Sequence, residues 1–196
     1  MITKQDLINF TEDIKVCFNN KMIKTPIHLC GGENQEDFLI ELFKDIRPQD
    51  WVFCTHRNSY HFILKTKDME LAKKEILAGH SMHLCSKEHR VFSSAIVGGC
   101  SSIALGVALS IKLKGLDEKV YCFVGEMAAR TGIFYESVRY AEGFDLPILY
   151  VVEDNFYSVM TPTEKTWGEQ CVGNKIKYYK YDRVNGHSGT GKWLKF

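Results

Sequence analysis

The order of apolar and polar residues along the chain predicts helices alternating with strands. Helical patterns cover five segments: about 6–21, 36–43, 68–78, 101–114 and 133–142. Residues 50–55 have the content of a short strand. Two apolar runs without polar alternation, 120–124 and 147–152, predict central strands buried on both faces. Residues 80–94 are polar and predict irregular structure.

The segments 120–124, 133–142 and 147–152 follow one another along the chain as strand, helix and strand. Such a βαβ unit has a right-handed crossover, which makes its two strands parallel. The predicted fold class is therefore α/β, with a mostly parallel sheet between two helical layers. No internal repeat or flexible linker divides the sequence, so we expect one domain over residues 1–196. In such folds ligands bind beyond the carboxyl ends of the strands, here the loops 125–128 and 153–157.

Composition narrows the class of protein. The chain has 196 residues, 45% of them hydrophobic, with 25 Lys and Arg against 24 Asp and Glu. This balance is typical of a soluble globular domain and excludes disordered, collagen-like and coiled-coil chains. The formal net charge of +1 gives no basic surface for nucleic acid or an anionic membrane. We therefore expect neither as a partner.

Features that indicate a cellular location point to the cytoplasm. The longest apolar stretch, 103–113, contains Lys112 and is shorter than the roughly 20 residues that a membrane-spanning helix needs. Lys4 and Asp6 interrupt the segment where an export signal requires an apolar core. Seven cysteines, an odd number without a Cys-x-x-Cys pair, lie mostly in apolar runs. We expect a cytoplasmic protein with reduced, buried thiols.

Oxygen ligands stand at the ends of both central strands. Glu126 follows the first strand, and Asp154 and Asn155 follow the second. Carboxylate and amide oxygens suit Mg²⁺, while Gly125 and the helix that follows it favour the approach of a phosphate. The predicted ligand is a metal-bridged diphosphate. For either carboxylate taken alone, an ordinary loop or helix-capping role is the better interpretation.

These residues resemble a known cofactor motif. Gly125-Glu126-Met127 through Asp154-Asn155 is similar to the thiamine diphosphate motif that begins Gly-Asp-Gly and ends Asn-Asn. The match extends from about residue 25 to 165 and includes six further segments: 27–29, 55–57, 79–83, 95–99, 132–137 and 145–148. On this basis the chain resembles the α subunit of the thiamine diphosphate-dependent 2-oxoacid dehydrogenases, within the pyruvate dehydrogenase and transketolase-like superfamily.

The resemblance implies the thiamin-diphosphate-binding fold and a set of site residues. The metal, Mg²⁺ or another divalent cation, would be held by the side chains of Glu126 and Asn155 and by the Tyr157 carbonyl. Arg57 would bind the diphosphate. The full set of implied cofactor contacts is His28, His56, Arg57, Ala95, Val97, Gly125 and Ala128. His187, in a Gly-His-Ser element, would contact the substrate, the alternative being an ordinary turn.

Three residues depart from the motif. Glu126 replaces an aspartate, which moves the carboxylate by about a bond length and puts the metal preference in question. Met127 replaces a glycine, so the backbone there must avoid the left-handed region, and its side chain is expected near the cofactor cleft. Asp154 replaces the first asparagine and is expected to add negative charge beside the metal.

The implied function is that of a diphosphate-binding subunit. A β-type chain, which binds the pyrimidine end of the cofactor, would complete a hetero-oligomer or dimer. The substrate would be a 2-oxoacid or a sugar-like ketol donor. The alternatives are a non-catalytic regulatory subunit and a generic nucleotide-binding domain, although the Gly-x-Gly-x-x-Gly and P-loop motifs are absent. A zinc site at His80, His83 and His89 matches no recognised ligand spacing.

Overall fold

The computed structural model describes residues 2–166 and 173–188, which form helices and strands in alternation. The α-helices are α1 Lys4–Asn19, α2 Gln35–Phe43, α3 Ser59–Thr66, α4 Met69–Glu75, α5 Gly99–Leu113 and α6 Gly132–Gly143. The strands are β1 Gly32–Glu33, β2 Trp51–Cys54, β3 Val91–Ser93, β4 Val120–Gly125, β5 Ile148–Asp154, β6 Tyr157–Ser158, β7 Thr161–Pro162, β8 Ile176–Lys180 and β9 Asp182–Arg183.

Five strands form a parallel sheet in the order β3-β2-β4-β5-β8. Strands β4 and β5 pair directly, with Val120 opposite Ile148, and α6 lies between them in the chain. The predicted βαβ unit is therefore confirmed, because adjacent parallel strands require such a crossover connection. Two small antiparallel pairs, β1 with β9 and β6 with β7, lie outside the main sheet.

Helices cover both faces of the sheet. Along β4, Tyr121 and Phe123 pack into a core with α1 to α4, whereas Cys122 and Val124 pack into a second core with α5 and α6. Successive strand residues point to opposite faces, so a strand between two helical layers is apolar at every position. This explains the unbroken apolar runs of β4 and β5 and confirms the three-layer α/β fold class.

The helix boundaries follow from local capping. Helix α1 begins two residues before the predicted start because Thr3 and Asp6 form a reciprocal capping box. At α4, Asp68 accepts a hydrogen bond from the Leu71 backbone N–H at 2.9 Å. The predicted helix 68–78 is interrupted: α4 ends at Glu75, and a wider helical turn continues to His80, with Gly79 at φ 99°. A side chain at Gly79 would be strained in this backbone conformation.

Besides the two-residue strands β1, β6, β7 and β9, three elements of the main sheet and its helical layers were missed by the sequence patterns. Helix α3 has no polar face because seven of its eight residues are buried, so it lacks the amphipathic period. The segment 80–94 was predicted to be irregular, which is wrong for β3, a three-residue edge strand. The opposite edge strand, β8, contains Lys177 and Lys180, and such charges protect an exposed edge while hiding its strand pattern.

Two further expectations concern the cysteines and membrane-spanning segments. The six described cysteines are free thiols, buried except for Cys85, and Cys171 lies outside the described residues. None of the described helices has the length and apolar character needed to cross a membrane.

Asp50 ties the start of the sheet to the loop that follows α2. Its fully buried carboxylate accepts hydrogen bonds from the Arg47 backbone N–H at 2.9 Å, from Arg47 Nη2 at 2.8 Å and from the Lys119 backbone N–H at 2.8 Å. Asp50→Ala is expected to lower the free energy of unfolding by about 2 kcal/mol, because buried donors lose their acceptor.

Urea denaturation of Asp50→Ala beside Asp117→Ala measures this effect. Asp117 binds the same arginine at 2.9 Å, but its side chain is 81% exposed, so its loss is expected to cost less than about 1 kcal/mol. Equal destabilisation by the two substitutions would show that the buried hydrogen bonds of Asp50 stabilise the fold no more than the exposed ion pair of Asp117 does.

Candidate functional site

A cavity of about 320 Å³ opens where β2, β4 and β5 reach their carboxyl ends. The loops that leave these strands form its walls, as expected for a parallel sheet. All eleven residues named as site candidates from the sequence line it: His28, His56, Arg57, Ala95, Val97, Gly125, Glu126, Ala128, Asn155, Tyr157 and His187. The fold therefore brings together residues that are up to 159 positions apart, from 28 to 187.

Glu126 supplies a buried carboxylate to the cavity. Its side chain is 4% exposed, and Thr163 Oγ1 donates a hydrogen bond to Glu126 Oε1 at 3.2 Å. Within residues 2–166 and 173–188 it forms no ion pair. Burial, and after it the neighbouring Asp154 carboxylate, raise the pKa of Glu126 to about 7. A cation bound here would stabilise the charged form.

Asp154, the last residue of β5, and Asn155, which follows it, have different surroundings. Asp154 accepts hydrogen bonds from the Phe156 backbone N–H at 2.8 Å and from the Tyr178 hydroxyl. Asn155 lines the cavity, and its Oδ1 accepts a hydrogen bond from the Tyr157 backbone N–H at 3.3 Å. Asp154 is not among the lining residues. Its carboxylate is bound by β8, and it acts on Glu126 only through its charge.

The backbone at Met127 does not require the glycine that the cofactor motif has at this position. Its backbone lies in the right-handed helical region, at φ −77° and ψ −35°, so no left-handed conformation is required. The Met127 side chain lines the cavity, as the sequence predicted. At Gly125 an added Cβ would meet no atom within 4 Å, so the backbone there faces open space. This is the kind of surface that a phosphate group can approach closely.

Arg57 places a buried positive charge beside the cavity. The residue is 5% exposed, and Arg57 Nη1 donates a hydrogen bond to the Leu29 carbonyl at 2.5 Å. Arg57 Nη2 is buried without a hydrogen-bond partner among the described residues, and the guanidinium pairs with none of their carboxylates. Because an unpaired buried charge is costly, this geometry indicates a site for an anion.

Three histidines form one cluster, which the sequence analysis treated as separate residues. The ring centroids of His28 lie 4.5 Å from His56 and 4.3 Å from His187, and those of His56 and His187 lie 5.7 Å apart. Burial lowers the pKa of His28 to about 2 and those of His56 and His187 to about 4. All three imidazoles are neutral at pH 7, so each offers one donor and one acceptor.

The same cluster has the dimensions of a metal site, but the local charge opposes one. One ring nitrogen from each histidine lies within 4.8 Å of the others. Arg57 and Arg183 both lower the pKa values of His28, His56 and His187 by their positive charge. Charges that disfavour a bound proton also disfavour a bound cation. The arrangement is better suited to hydrogen bonding with a ligand in the cavity.

The histidines considered as an alternative zinc site do not come together. His80 Nδ1 lies 2.7 Å from Glu75 Oε2, and His89 Nδ1 lies 2.8 Å from Ser86 Oγ. Of the described residues, only His28, His56 and His187 form a group of three with metal-site spacing. The zinc interpretation of His80, His83 and His89 therefore has no support in the structure.

Among the lining residues that were given no role from the sequence, three have ionisable side chains: Glu153, Tyr181 and Arg183. Glu153 directly precedes the Asp-Asn pair, so its position beside the motif was an available signal. It accepts a hydrogen bond from the Tyr179 hydroxyl at 2.5 Å and lies 3.2 Å from His61 Nε2. Arg183 belongs to no motif, and the long-range pairing of β9 with β1 brings it to the site.

Comparison with known proteins agrees with this geometry. The chain is 28% identical over 189 residues to the α subunit of acetoin:2,6-dichlorophenolindophenol oxidoreductase from Bacillus subtilis, covering 91% of the chain and 56% of that protein. It is 30% identical over 161 residues to the α subunit of the human pyruvate dehydrogenase E1 component, testis-specific mitochondrial form, covering 76% of the chain and 40% of that protein. The chain thus spans about half the length of these relatives.

A second α subunit of acetoin:2,6-dichlorophenolindophenol oxidoreductase, from Cupriavidus necator, is 29% identical over 163 residues, covering 78% of the chain and 48% of that protein. The family described as "Dehydrogenase E1 component" matches residues 3–179, which include the whole five-stranded sheet apart from Lys180. The matched segment holds ten of the eleven candidate residues, all except His187. This chain belongs to the dehydrogenase E1 component family.

Proposed function

We propose that this chain is the diphosphate-binding subunit of a heteromeric thiamine diphosphate-dependent enzyme that acts on a 2-oxoacid or a ketol donor. The observation that carries the proposal is that one cavity contains two charged side chains of opposite sign, neither of which forms an ion pair with a described residue. Arg57 has a buried donor without an acceptor, and Glu126 has a buried carboxylate without a cation. A diphosphate bridged to a divalent metal would satisfy both.

The residues present fit such a ligand. The open face of Gly125 and the neighbouring Ala128 line the cavity, where a larger side chain would reduce the space. Glu126 and Asn155 would supply two hard oxygens and the Tyr157 carbonyl a third, which leaves Mg²⁺ or another divalent cation to be completed by phosphate oxygens. Arg57 would bind the diphosphate, and Ala95 and Val97 would contact the pyrimidine end through backbone groups.

Thiamine diphosphate, when bound, supplies the electron sink that permits cleavage of a bond beside a carbonyl group. The chain's own residues would then bind and orient the reactants. His28, His56 and His187 are neutral at pH 7, so each can donate a hydrogen bond to a substrate oxygen or accept one from a substrate hydroxyl group. The partly buried cavity walls would limit the access of water.

We propose a β-type chain as the partner. At the cavity mouth, the side chains of Ile96 and Val97 are 73% and 71% exposed, and Val159 and Met160 of the loop joining β6 to β7 are 47% and 63% exposed. Adjacent exposed apolar residues are typical of a surface that another protein covers. In the proposed enzyme this partner completes the pyrimidine side of the site, and the assembly is a hetero-oligomer.

The names of the relatives suggest substrates to test. Two are named for acetoin and one for pyruvate, so acetoin and pyruvate are the first candidates for the carbonyl compound. A cytoplasmic location remains the prediction from sequence. A second candidate function is a non-catalytic cofactor-binding subunit. It is favoured by Glu126, whose pKa of about 7 leaves much of the carboxylate protonated near neutral pH before a metal binds.

Calorimetric titration of the chain with thiamine diphosphate tests the proposal. Binding is expected with Mg²⁺ present and is expected to weaken at least about tenfold in EDTA, because the metal links the diphosphate to Glu126. Glu126→Gln should remove this Mg²⁺ dependence. Glu136→Gln, on the exposed face of α6, is the matched control and should preserve it.

Absence of binding under every condition, including the presence of a β-type chain, would contradict the proposal. Binding without turnover in the assembled enzyme, together with activity gained by Glu126→Asp, would instead establish the non-catalytic alternative. Both measurements use the intact chain.

A further inference from the structure

We infer that Arg183 is a second diphosphate-binding residue, which acts with Arg57 on the anionic end of the ligand. The inference rests on the proposed function and extends it to a residue outside the cofactor motif and outside the matched segment 3–179. Arg183 lines the same cavity as Arg57, Glu126 and Tyr157.

The backbone of Arg183 is fixed by a close strand contact. In the β1–β9 pair, Gly32 lies opposite Arg183 and Glu33 opposite Asp182. A Cβ placed on Gly32 would lie 2.2 Å from the Asp182 carbonyl oxygen, so only glycine permits this approach. The Asn185 side chain also donates a hydrogen bond to the Cys30 carbonyl at 2.7 Å. These contacts hold the segment containing Arg183 over the cavity.

The side chain of Arg183 is directed at the loop that follows the metal-binding motif. Arg183 Nη2 donates a hydrogen bond to the Val159 carbonyl at 3.2 Å, and its guanidinium carbon lies 5.4 Å from the centroid of the Tyr157 ring. The Tyr157 carbonyl is one of the proposed metal ligands. Arg183 therefore stands beside the position where the metal and the diphosphate would meet.

The charges around Arg183 indicate an anionic ligand. Among the described residues, its guanidinium forms no ion pair, although several of its donors remain for hydrogen bonding. Arg183 is partly buried, and burial followed by the Arg57 charge lowers its pKa. Two arginines in one half-enclosed cavity repel each other unless an anion lies between them. A diphosphate has enough oxygens for both.

A purely structural role explains less of this arrangement. Stacking on Tyr157 and a single hydrogen bond to Val159 would be available to an arginine on the open surface. Neither contact requires a second cation in the same cavity. A ligand with two phosphate groups does explain the two arginines, because each planar guanidinium group can bind a pair of phosphate oxygens.

Binding measurements with the full chain test the inference. Arg183→Gln is expected to weaken thiamine diphosphate and inorganic diphosphate about tenfold in calorimetry, the loss of one charge-assisted contact. Thiamine, which lacks phosphate, should bind Arg183→Gln and the native chain equally. Arg183→Lys should recover part of the affinity. Arg139→Gln, on the exposed face of α6, is the matched control and should change nothing.

Each other outcome overturns the inference. Unchanged diphosphate affinity in Arg183→Gln shows that the residue does not bind the anion. If the variant loses affinity for pyruvate but not for diphosphate, Arg183 binds a substrate carboxylate instead. A lowered melting temperature with equal loss of thiamine shows a structural role. If the native chain binds neither thiamine diphosphate nor inorganic diphosphate, the proposed function itself fails, which is distinguishable from failure at Arg183 alone.

Discussion

Arg57→Gln is expected to weaken thiamine diphosphate binding at least about 100-fold while leaving the ligand-free chain as stable as before, or more stable. Arg57 is 5% exposed, and its Nη2 has no partner among the described residues. A buried charge without an acceptor raises the free energy of the folded state, so its removal relieves a cost. Glutamine is uncharged and shorter, so the ligand-free chain loses the buried charge together with one hydrogen bond to the Leu29 carbonyl. The loss therefore appears only when an anion binds.

Opposite changes in affinity and stability distinguish a binding residue from a structural one. Calorimetry gives the affinity, and thermal unfolding without ligand gives the stability. Arg47→Gln is a useful comparison, because Arg47 is paired with the buried Asp50 and its loss should lower the melting temperature without changing affinity. A large fall in the melting temperature of Arg57→Gln, with ligand affinity retained, would show that Arg57 holds the fold and not the ligand.

Acidification is expected to destabilise the ligand-free chain through the histidine cluster. The folded-state pKa values, about 2 for His28 and about 4 for His56 and His187, lie below the unfolded value of 6.5. The unfolded state therefore binds more protons below pH 6.5, and stability falls as the pH decreases towards 4. Glu126 acts in the opposite direction, since its raised pKa of about 7 favours the folded state on acidification.

Three histidines opposed by one carboxylate leave a net loss of about 2 to 3 kcal/mol between pH 7 and pH 5, in which the partly exposed His187 counts less because solvent screens its charge. Urea denaturation at a series of pH values measures it. His56→Gln should reduce the loss by about 1 to 2 kcal/mol over this interval, as one titrating group disappears. His83→Gln, at an exposed position, is the control and should preserve the slope. Stability that stays constant or rises on acidification would contradict the assignment of neutral, buried imidazoles.

The sequence alone was sufficient for the central part of the fold. The apolar runs that become β4 and β5, with helix α6 between them, identified a parallel βαβ unit because burial on both faces removes polar alternation. The carboxyl ends of those strands then gave the location of the site. The cofactor motif added the residues, and all eleven candidates line one cavity. Their roles in binding remain proposals for the experiments above.

Local patterns were insufficient where burial or long-range pairing determines structure. Helix α3 is buried on all sides, so its sequence has no amphipathic period, and β3 and β8 are edge strands too short or too charged to show one. The prediction that Asp154 adds charge beside the metal needed refinement. The Tyr178 hydroxyl, supplied by a strand that the sequence patterns missed, binds this carboxylate outside the cavity lining.

The sequence by itself determined the α/β layering, the family resemblance and the membership of the site. These properties depend on periodicity and on motifs within short stretches of chain. Only the tertiary structure gathered His28, His56 and His187 into one neutral cluster and placed Arg183 beside Arg57. The physical reason is that burial and charge act through space. The pKa of a side chain and its need for a ligand depend on neighbours more than a hundred residues away.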